Sequence, residues 1–199
     1  MPSDAHTFLF MDLVGFSALT AECGDDSAAD VAVQLFASER RVLPQHRGEE
    51  IKTIGDAMMV RCEDPRDGLE LGLEISEQIG DDGELPPLRI GVHTGTAVSR
   101  DGDWYGNAVN VAARLCSAAG GGEVLVSEAT REAAGSPRHI DFGERRLHWL
   151  KNMPQPVAAG SAALRQLPSA RRPRLREIAG SKVRRPFAGV QLQHSEVTG

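Results

Sequence analysis

Cysteine is scarce in this 199-residue chain. Cys23, Cys62 and Cys116 are the only three, far apart in sequence, with no CxxC pair among them. An odd, scattered set argues against a disulfide framework, and reduced thiols in a cytoplasmic protein are the expectation. Long apolar runs are missing as well. No stretch approaches about 18 residues, so no transmembrane segment is expected. The first residues, Met1 to His6, carry neither a basic leader nor a long apolar segment, so no signal peptide is expected. These features leave open that the chain is one module of a larger protein.

A basic body is the third absence. The net charge of −6 conceals two unlike parts. Residues 165–199 hold eight Lys/Arg and two Asp/Glu, which leaves 14 basic and 26 acidic residues in 1–164. An acidic body is not the footprint of a nucleic-acid-binding domain, and no nucleic-acid partner is expected. It suits a protein that gathers carboxylates around divalent cations. Residues 165–199, with Arg171-Arg172-Pro173-Arg174 and Arg184-Arg185-Pro186, read as a flexible Pro/Arg-rich tail. Solubilisation is its simplest role, with weak contact to an anionic membrane surface as the other. A domain at 1–164 and a tail at 165–199 are thus predicted.

What is present in the body is a regular succession of short elements. His6 to Leu13 is an apolar run of strand length, ended by Gly15. A helix follows through Ala28 to about Val42, capped by Asp25 or Asp26 and stopped by Pro44 and Gly48. Glu50–Thr53 and Ala57–Arg61 form two strands about a Gly55-Asp56 turn. Asp64-Pro65 opens a second helix, and Leu88 to Val98 is a strand that leads into an Asp101-Gly102 hairpin. Asn107 to Ala118 is a helix, then come a strand at 123–126, a short helix to Gly135, and strands at His139–Leu147 and Val157–Leu164. The βαββαβ succession predicts an α+β, ferredoxin-like core with a mostly antiparallel sheet, and not a doubly wound nucleotide fold.

Several polar residues fall where such a fold would make them meet. Asp12 ends the first strand, where a carboxylate either caps the following turn or meets a cation. Asp56 sits at the tip of the neighbouring hairpin. Together they are candidate ligands for divalent metal. Two such cations roughly 3.5–4 Å apart would clamp an in-line phosphoryl displacement. Gly15-Phe16-Ser17 has no Walker pattern, yet a glycine at a helix start can turn N–H groups toward phosphate. Asn110 and Arg114 share a helix face at i and i+4, either as a plain solvated pair or as donors to a phosphate in flight. Lys52 and Asp103 either form a surface bridge or read a purine edge, Lys to a ring nitrogen and Asp from an exocyclic amine. Arg89 is a phosphate ligand or an exposed edge residue.

Four stretches in order resemble one family: Phe10-Met11-Asp12-Leu13-Val14-Gly15-Phe16-Ser17, Ile51-Lys52-Thr53-Ile54-Gly55-Asp56, Leu88-Arg89-Ile90-Gly91-Val92-His93-Thr94-Gly95, and Asp103-Trp104-Tyr105-Gly106-Asn107-Ala108-Val109-Asn110-Val111-Ala112-Ala113-Arg114. Over residues 5–165 the chain resembles the catalytic domain of class III nucleotide cyclases, most like bacterial adenylate cyclases. The resemblance implies Asp12 and Asp56 as metal carboxylates, with the Leu13 carbonyl, holding two Mg²⁺ or Mn²⁺ per site. It implies Lys52 and Asp103 as adenine readers, Asn110 and Arg114 as transition-state residues, and Arg89, Lys151 and the Gly15-Phe16-Ser17 loop as phosphate contacts. It further implies conversion of ATP to cyclic AMP and pyrophosphate at sites shared across a homodimer. In such a dimer one chain gives Asp12, Asp56 and Arg89, and the other gives Lys52, Asp103, Asn110 and Arg114. Guanylate cyclase activity, or a non-catalytic nucleotide-binding or dimerisation module, are the alternatives. Tyr105 stands where the family often has Trp, and the tail has no counterpart in the catalytic pattern.

Overall fold

β1 (Ala5–Leu13) is the axis of the fold, and a computed structural model shows why. That structure describes residues 5–82 and 85–165; beyond Arg165 the expected basic tail lies outside the described residues. β1 pairs antiparallel with β3 (Ala57–Cys62) on one side and β4 (Leu88–Thr96) on the other. Its edges are thus paired, and helices cover both of its faces. Thr7, Leu9, Met11 and Leu13 are buried on one face and Phe8 on the other. This is why the segment reads as a nearly unbroken apolar run rather than an alternating one.

The sheet extends as β2-β3-β1-β4-β7-β10-β8, with β2 at Glu49–Ile54, β7 at Val124–Ser127, β8 at Ile140–Phe142 and β10 at Val157–Leu164. β9 (Arg146–His148) pairs with β10, so the strand expected at 139–147 is two strands interrupted at 143–145. β4 and β7 run parallel, and every other pairing in this sheet is antiparallel. The predicted ferredoxin-like α+β core is observed.

Before β2 come α1 (Phe16–Cys23) and α2 (Asp25–Val42), followed by a 3-10 turn at Leu43–His46. The sequence predicted one helix capped by Asp25 or Asp26. Gly24 is the cap instead, and both aspartates lie in the first turn, where they favour the positive end of the helix dipole. α3 (Pro65–Asp82) starts as predicted, with the Arg66 N–H donating to Asp64 Oδ1 at 2.8 Å. α2 and α3 bury Leu35, Phe36, Leu69 and Leu73 against the Leu9–Met11 face. α5 (Glu128–Ala134) has Ser127 as its cap.

α4 (Asn107–Ala118) covers the opposite face, packing Ala108, Val109 and Ala112 on Phe8 and Met59. Gly91 makes that approach possible. A Cβ on Gly91 would stand 2.1 Å from the Cys116 backbone nitrogen and 2.4 Å from the Ala112 carbonyl oxygen. Between β4 and α4 lies a separate ribbon, β5 (Val98–Arg100) and β6 (Asp103–Tyr105), turned at Asp101-Gly102 as expected. No helix of the described residues is long and apolar enough to cross a membrane.

Candidate active site

On β1 the even-numbered residues point to the α4 side, and Asp12 is the last of them. It lies opposite Ala57 of β3 and Arg89 of β4. Ala57 follows the two-residue turn Gly55-Asp56, in which Gly55 takes φ 62°, a left-handed conformation cheap only for glycine. The turn folds back where β1 ends, so Asp12 and Asp56 become neighbours although 44 positions separate them in sequence. Arg89 reaches Asp12 Oδ2 through both Nε, at 2.7 Å, and Nη2. Three stretches of chain thus converge on one end of the sheet.

The electrostatics follow from that convergence. Burial and then the Asp12 carboxylate push the Asp56 carboxyl above its ordinary range, while Arg89 pulls it down. The hydrogen bond to Asp12 holds the Arg89 guanidinium even more firmly protonated than usual. Two close carboxyls, with the Leu13 carbonyl beside Asp12 in sequence, make an all-oxygen donor set. That is the chemistry a hard divalent cation requires. Among the described residues no group of three or more His, Cys, Asp or Glu forms a complete metal cage. A cation here would therefore take its other ligands from water or substrate oxygens, which is the habit of Mg²⁺.

Gly15-Phe16-Ser17 follows directly. Gly15, at φ 83°, is the N-cap of α1, whose first turn has no side-chain cap. The first-turn N–H groups of α1 thus have no side-chain acceptor, and they follow Asp12 closely in sequence.

Lys52 and Asp103 meet elsewhere on the same side of the sheet. Lys52 Nζ donates to Asp103 Oδ2 at 2.5 Å, and the Trp104 backbone N–H donates to Asp103 Oδ1 at 2.8 Å. The lysine bond, followed by the Trp104 N–H, holds the Asp103 carboxyl below its usual range. Both open readings of this pair are served, since a surface bridge is also what a free purine-reading pair would form. Lys52 is two strands away from β1, roughly 10 Å at the usual strand spacing.

Asn110 and Arg114 lie one turn apart on α4, the first exposed and the second half-buried. Neither side chain makes a hydrogen bond or ion pair among the described residues. Lys151 is exposed in the turn between β9 and β10, while the preceding Leu150 packs with Val111 and Leu115. That packing brings the Lys151 turn beside α4.

The structure therefore assembles Asp12, Asp56 and Arg89 in one group and Lys52 with Asp103 in another. Asn110, Arg114 and Lys151 belong to neither.

The comparisons with known proteins give this arrangement a family. Residues 1–151 match the family model of the adenylate and guanylate cyclase catalytic domain. The chain belongs to this family. Among relatives of the cyclase domain, a pH-sensitive adenylate cyclase of Mycobacterium tuberculosis is 40% identical over 151 residues, covering 73% of this chain and 38% of that protein. An adenylate cyclase of Streptomyces coelicolor is 32% identical over 123 residues, covering 62% of this chain and 32% of the other. The chain spans well under half the length of these curated relatives. Among solved structures, an adenylate cyclase from Trypanosoma brucei in its monomeric state has a TM-score of 0.71 at 23% identity, covering 83% of this chain and 94% of that one. An adenylate/guanylate cyclase/hydrolase from Silicibacter pomeroyi has a TM-score of 0.68 at 27% identity, covering 80% and 96%.

The sequence did not single out the residues that brace the cyclase domain behind its polar positions. Trp104 and Arg61 are the main ones, and the only signal for Trp104 was a large aromatic in a hairpin otherwise rich in polar residues and glycine.

Proposed function

We propose that this cyclase domain converts ATP to 3′,5′-cyclic AMP and pyrophosphate, at sites shared between two copies of the chain. The observation that carries the reading is the meeting of Asp12, Asp56 and Arg89, from three separate stretches, at one end of the sheet. Two carboxyls and a guanidinium there have the chemistry to hold a metal–triphosphate.

In this reading Asp12 and Asp56, with the Leu13 carbonyl, hold Mg²⁺ or Mn²⁺, two per site. When bound, such cations lower the pKa of the ribose 3′-OH and neutralise triphosphate charge. Arg89 turns from Asp12 toward the phosphates, and the N–H groups at Gly15-Phe16-Ser17 receive phosphate oxygens. Lys151 is the more distant phosphate contact. Asn110 orients the ribose, and Arg114 stabilises charge developing on the α-phosphate.

Adenine is favoured by donor and acceptor sense. Lys52 donates, which suits the N1 acceptor of adenine; Asp103 accepts, which suits its 6-amino group. Guanine presents a donor at N1 and an acceptor at O6, the reverse of both.

Placement supports the shared site. Lys52 and Asp103 are bonded to each other, and on α4 Asn110 is exposed and Arg114 half-buried. None of the four bonds to Asp12, Asp56 or Arg89, which suits a donation to a second copy.

The test is a cyclic AMP assay with ATP and Mg²⁺ or Mn²⁺ across protein concentration. Specific activity should rise with concentration toward a plateau as dimers form. Nucleotide binding without product at any concentration would leave the non-catalytic module, and GTP preference would leave the guanylate cyclase.

A further inference from the structure

The β5–β6 ribbon that carries Asp103 shares no backbone ladder with the main sheet. Side-chain contacts therefore help to fix its position, Lys52 to Asp103 among them. Residues alternate in direction along β6, so Asp103 and Tyr105 point one way and Trp104 the other. Tyr105 and its cross-strand partner Val98 are exposed, whereas Trp104 turns toward the body of the domain.

Its indole is held on several sides. The His6 ring meets it edge-on, with centroids 4.5 Å apart and planes at 68°, and the Phe8 ring lies 5.7 Å away. The Arg61 guanidinium stands 4.7 Å over it, within cation–π range. That guanidinium is itself anchored. It reaches Glu49 at 2.7 Å, Glu63 at 2.9 Å and His6 Nδ1 at 3.1 Å. Trp104 also packs against the cluster of Phe8, Met59, Ala108, Val109 and Ala112 that seats α4. The socket is thus built from β1 and β3 and is contiguous with the packing of α4.

One residue away, the backbone N–H of Trp104 itself holds Asp103 Oδ1, while Lys52 holds Oδ2. The seated ring and the Asp103 carboxylate are thus joined through one short stretch of β6 backbone.

We propose that Trp104, seated in the His6–Phe8–Arg61 socket, is a positioning residue for base selection, holding Asp103 at the distance from Lys52 that an adenine edge requires. This rests on the reading of Lys52 and Asp103 as the adenine-reading pair. Trp104 touches no reacting atom and acts through Asp103.

The test compares Trp104→Leu, Trp104→Phe and Arg61→Met with the parent chain, using Lys52→Ala as the reference. The ratio of ATP to GTP is read twice, in kcat/KM for cyclic product and in Kd for each nucleotide, so a domain that binds without turnover still reports. Trp104→Leu should lower the ratio at least about tenfold, mainly through weaker ATP binding. Trp104→Phe should keep it within about threefold of the parent, since a phenyl ring still fills most of the socket. Arg61→Met should shift it in the same direction as Trp104→Leu but less. If Trp104→Leu does not fold, Arg61→Met alone decides, and an unchanged ratio there overturns the proposal. A folded Trp104→Leu with the parental ratio, while Lys52→Ala loses it, makes Trp104 mere filling and overturns the proposal. If Lys52→Ala also keeps the ratio, the adenine-reading assignment has failed, and the proposal falls with it.

Discussion

Arg89 places two of its nitrogens on a single oxygen of Asp12, Oδ2, across the β1–β4 ladder. The Asp12 side chain is 18% exposed and that of Arg89 33%, so the pair is only partly screened by water. Arg89 also lowers the titration of Asp56, the second carboxyl at this end of the sheet. Arg89→Met should therefore do three things. It should raise the Asp56 midpoint in a carboxyl NMR titration. It should cost about 1–2 kcal/mol of stability, discounted for that exposure, by leaving Asp12 unpaired. It should lower kcat/KM for ATP by about 10²–10³ if the guanidinium serves the phosphates. An Asp56 midpoint that stays put or falls would contradict the electrostatic account.

Separation of the polar groups within one chain leads to a mixing experiment. Asp12→Ala and Asn110→Ala should each be inactive alone. Mixed, they form heterodimers in which one composite site holds both lesions and the other holds neither. Activity should then return, to at most about half of the parental sites in each heterodimer. Folded, dimeric mutants that stay silent on mixing would count against shared sites.

Glu39 gives the domain a pH-dependent stability unrelated to nucleotide. It is 1% exposed on the core-facing side of α2, and neither carboxyl oxygen has a hydrogen-bond partner. Burial, and then Glu50, push its pKa from 4.5 to about 8, against a smaller lowering by Arg40. The folded state thus holds this proton more tightly than the unfolded chain. Stability is highest below the unfolded value and declines as pH rises toward the folded one, by about 1.4 kcal/mol per unit at most. Glu39→Met, similar in volume and uncharged, should flatten urea-denaturation stability between pH 5 and 8 and raise it at pH 8. Parallel pH profiles for parent and variant would refute the buried, unpaired acid.

Gly91 offers a steric test of how α4 is seated. A methyl group there meets backbone atoms of Ala112 and Cys116, which cannot swing aside as a side chain can. Gly91→Ala should destabilise the domain by about 1–3 kcal/mol or more. It should also lift α4, and with it Asn110 and Arg114, away from the sheet. Thermal melting together with the activity of the folded fraction checks both. A variant as stable and active as the parent would show that α4 does not sit this close.

Much of this could be read along the chain because it rests on local rules. An apolar run of strand length marked β1, and the glycines at 106 and 120–122 bounded α4, which matches to the residue at Asn107–Ala118. Asp64-Pro65 marked the start of α3, and Gly55-Asp56 the β2–β3 turn. α1 and the Gly24 cap were missed because a helix of eight residues that buries none of them fully leaves little stripe to read. The β8–β9 interruption was missed because short edge strands carry little alternation.

The sequence by itself determined the βαββαβ order and the family to which the chain belongs, since spacing and residue type suffice for both. Tertiary structure alone decided that Arg89 bonds Asp12, that Lys52 bonds Asp103, and that Trp104 packs the β5–β6 ribbon against Arg61 and the rings of His6 and Phe8. It also left Glu39 buried with no partner. Those outcomes depend on which strands become neighbours and which face α4 covers. Contacts across 51 or 77 residues are set by strand register and close packing, which no local pattern encodes.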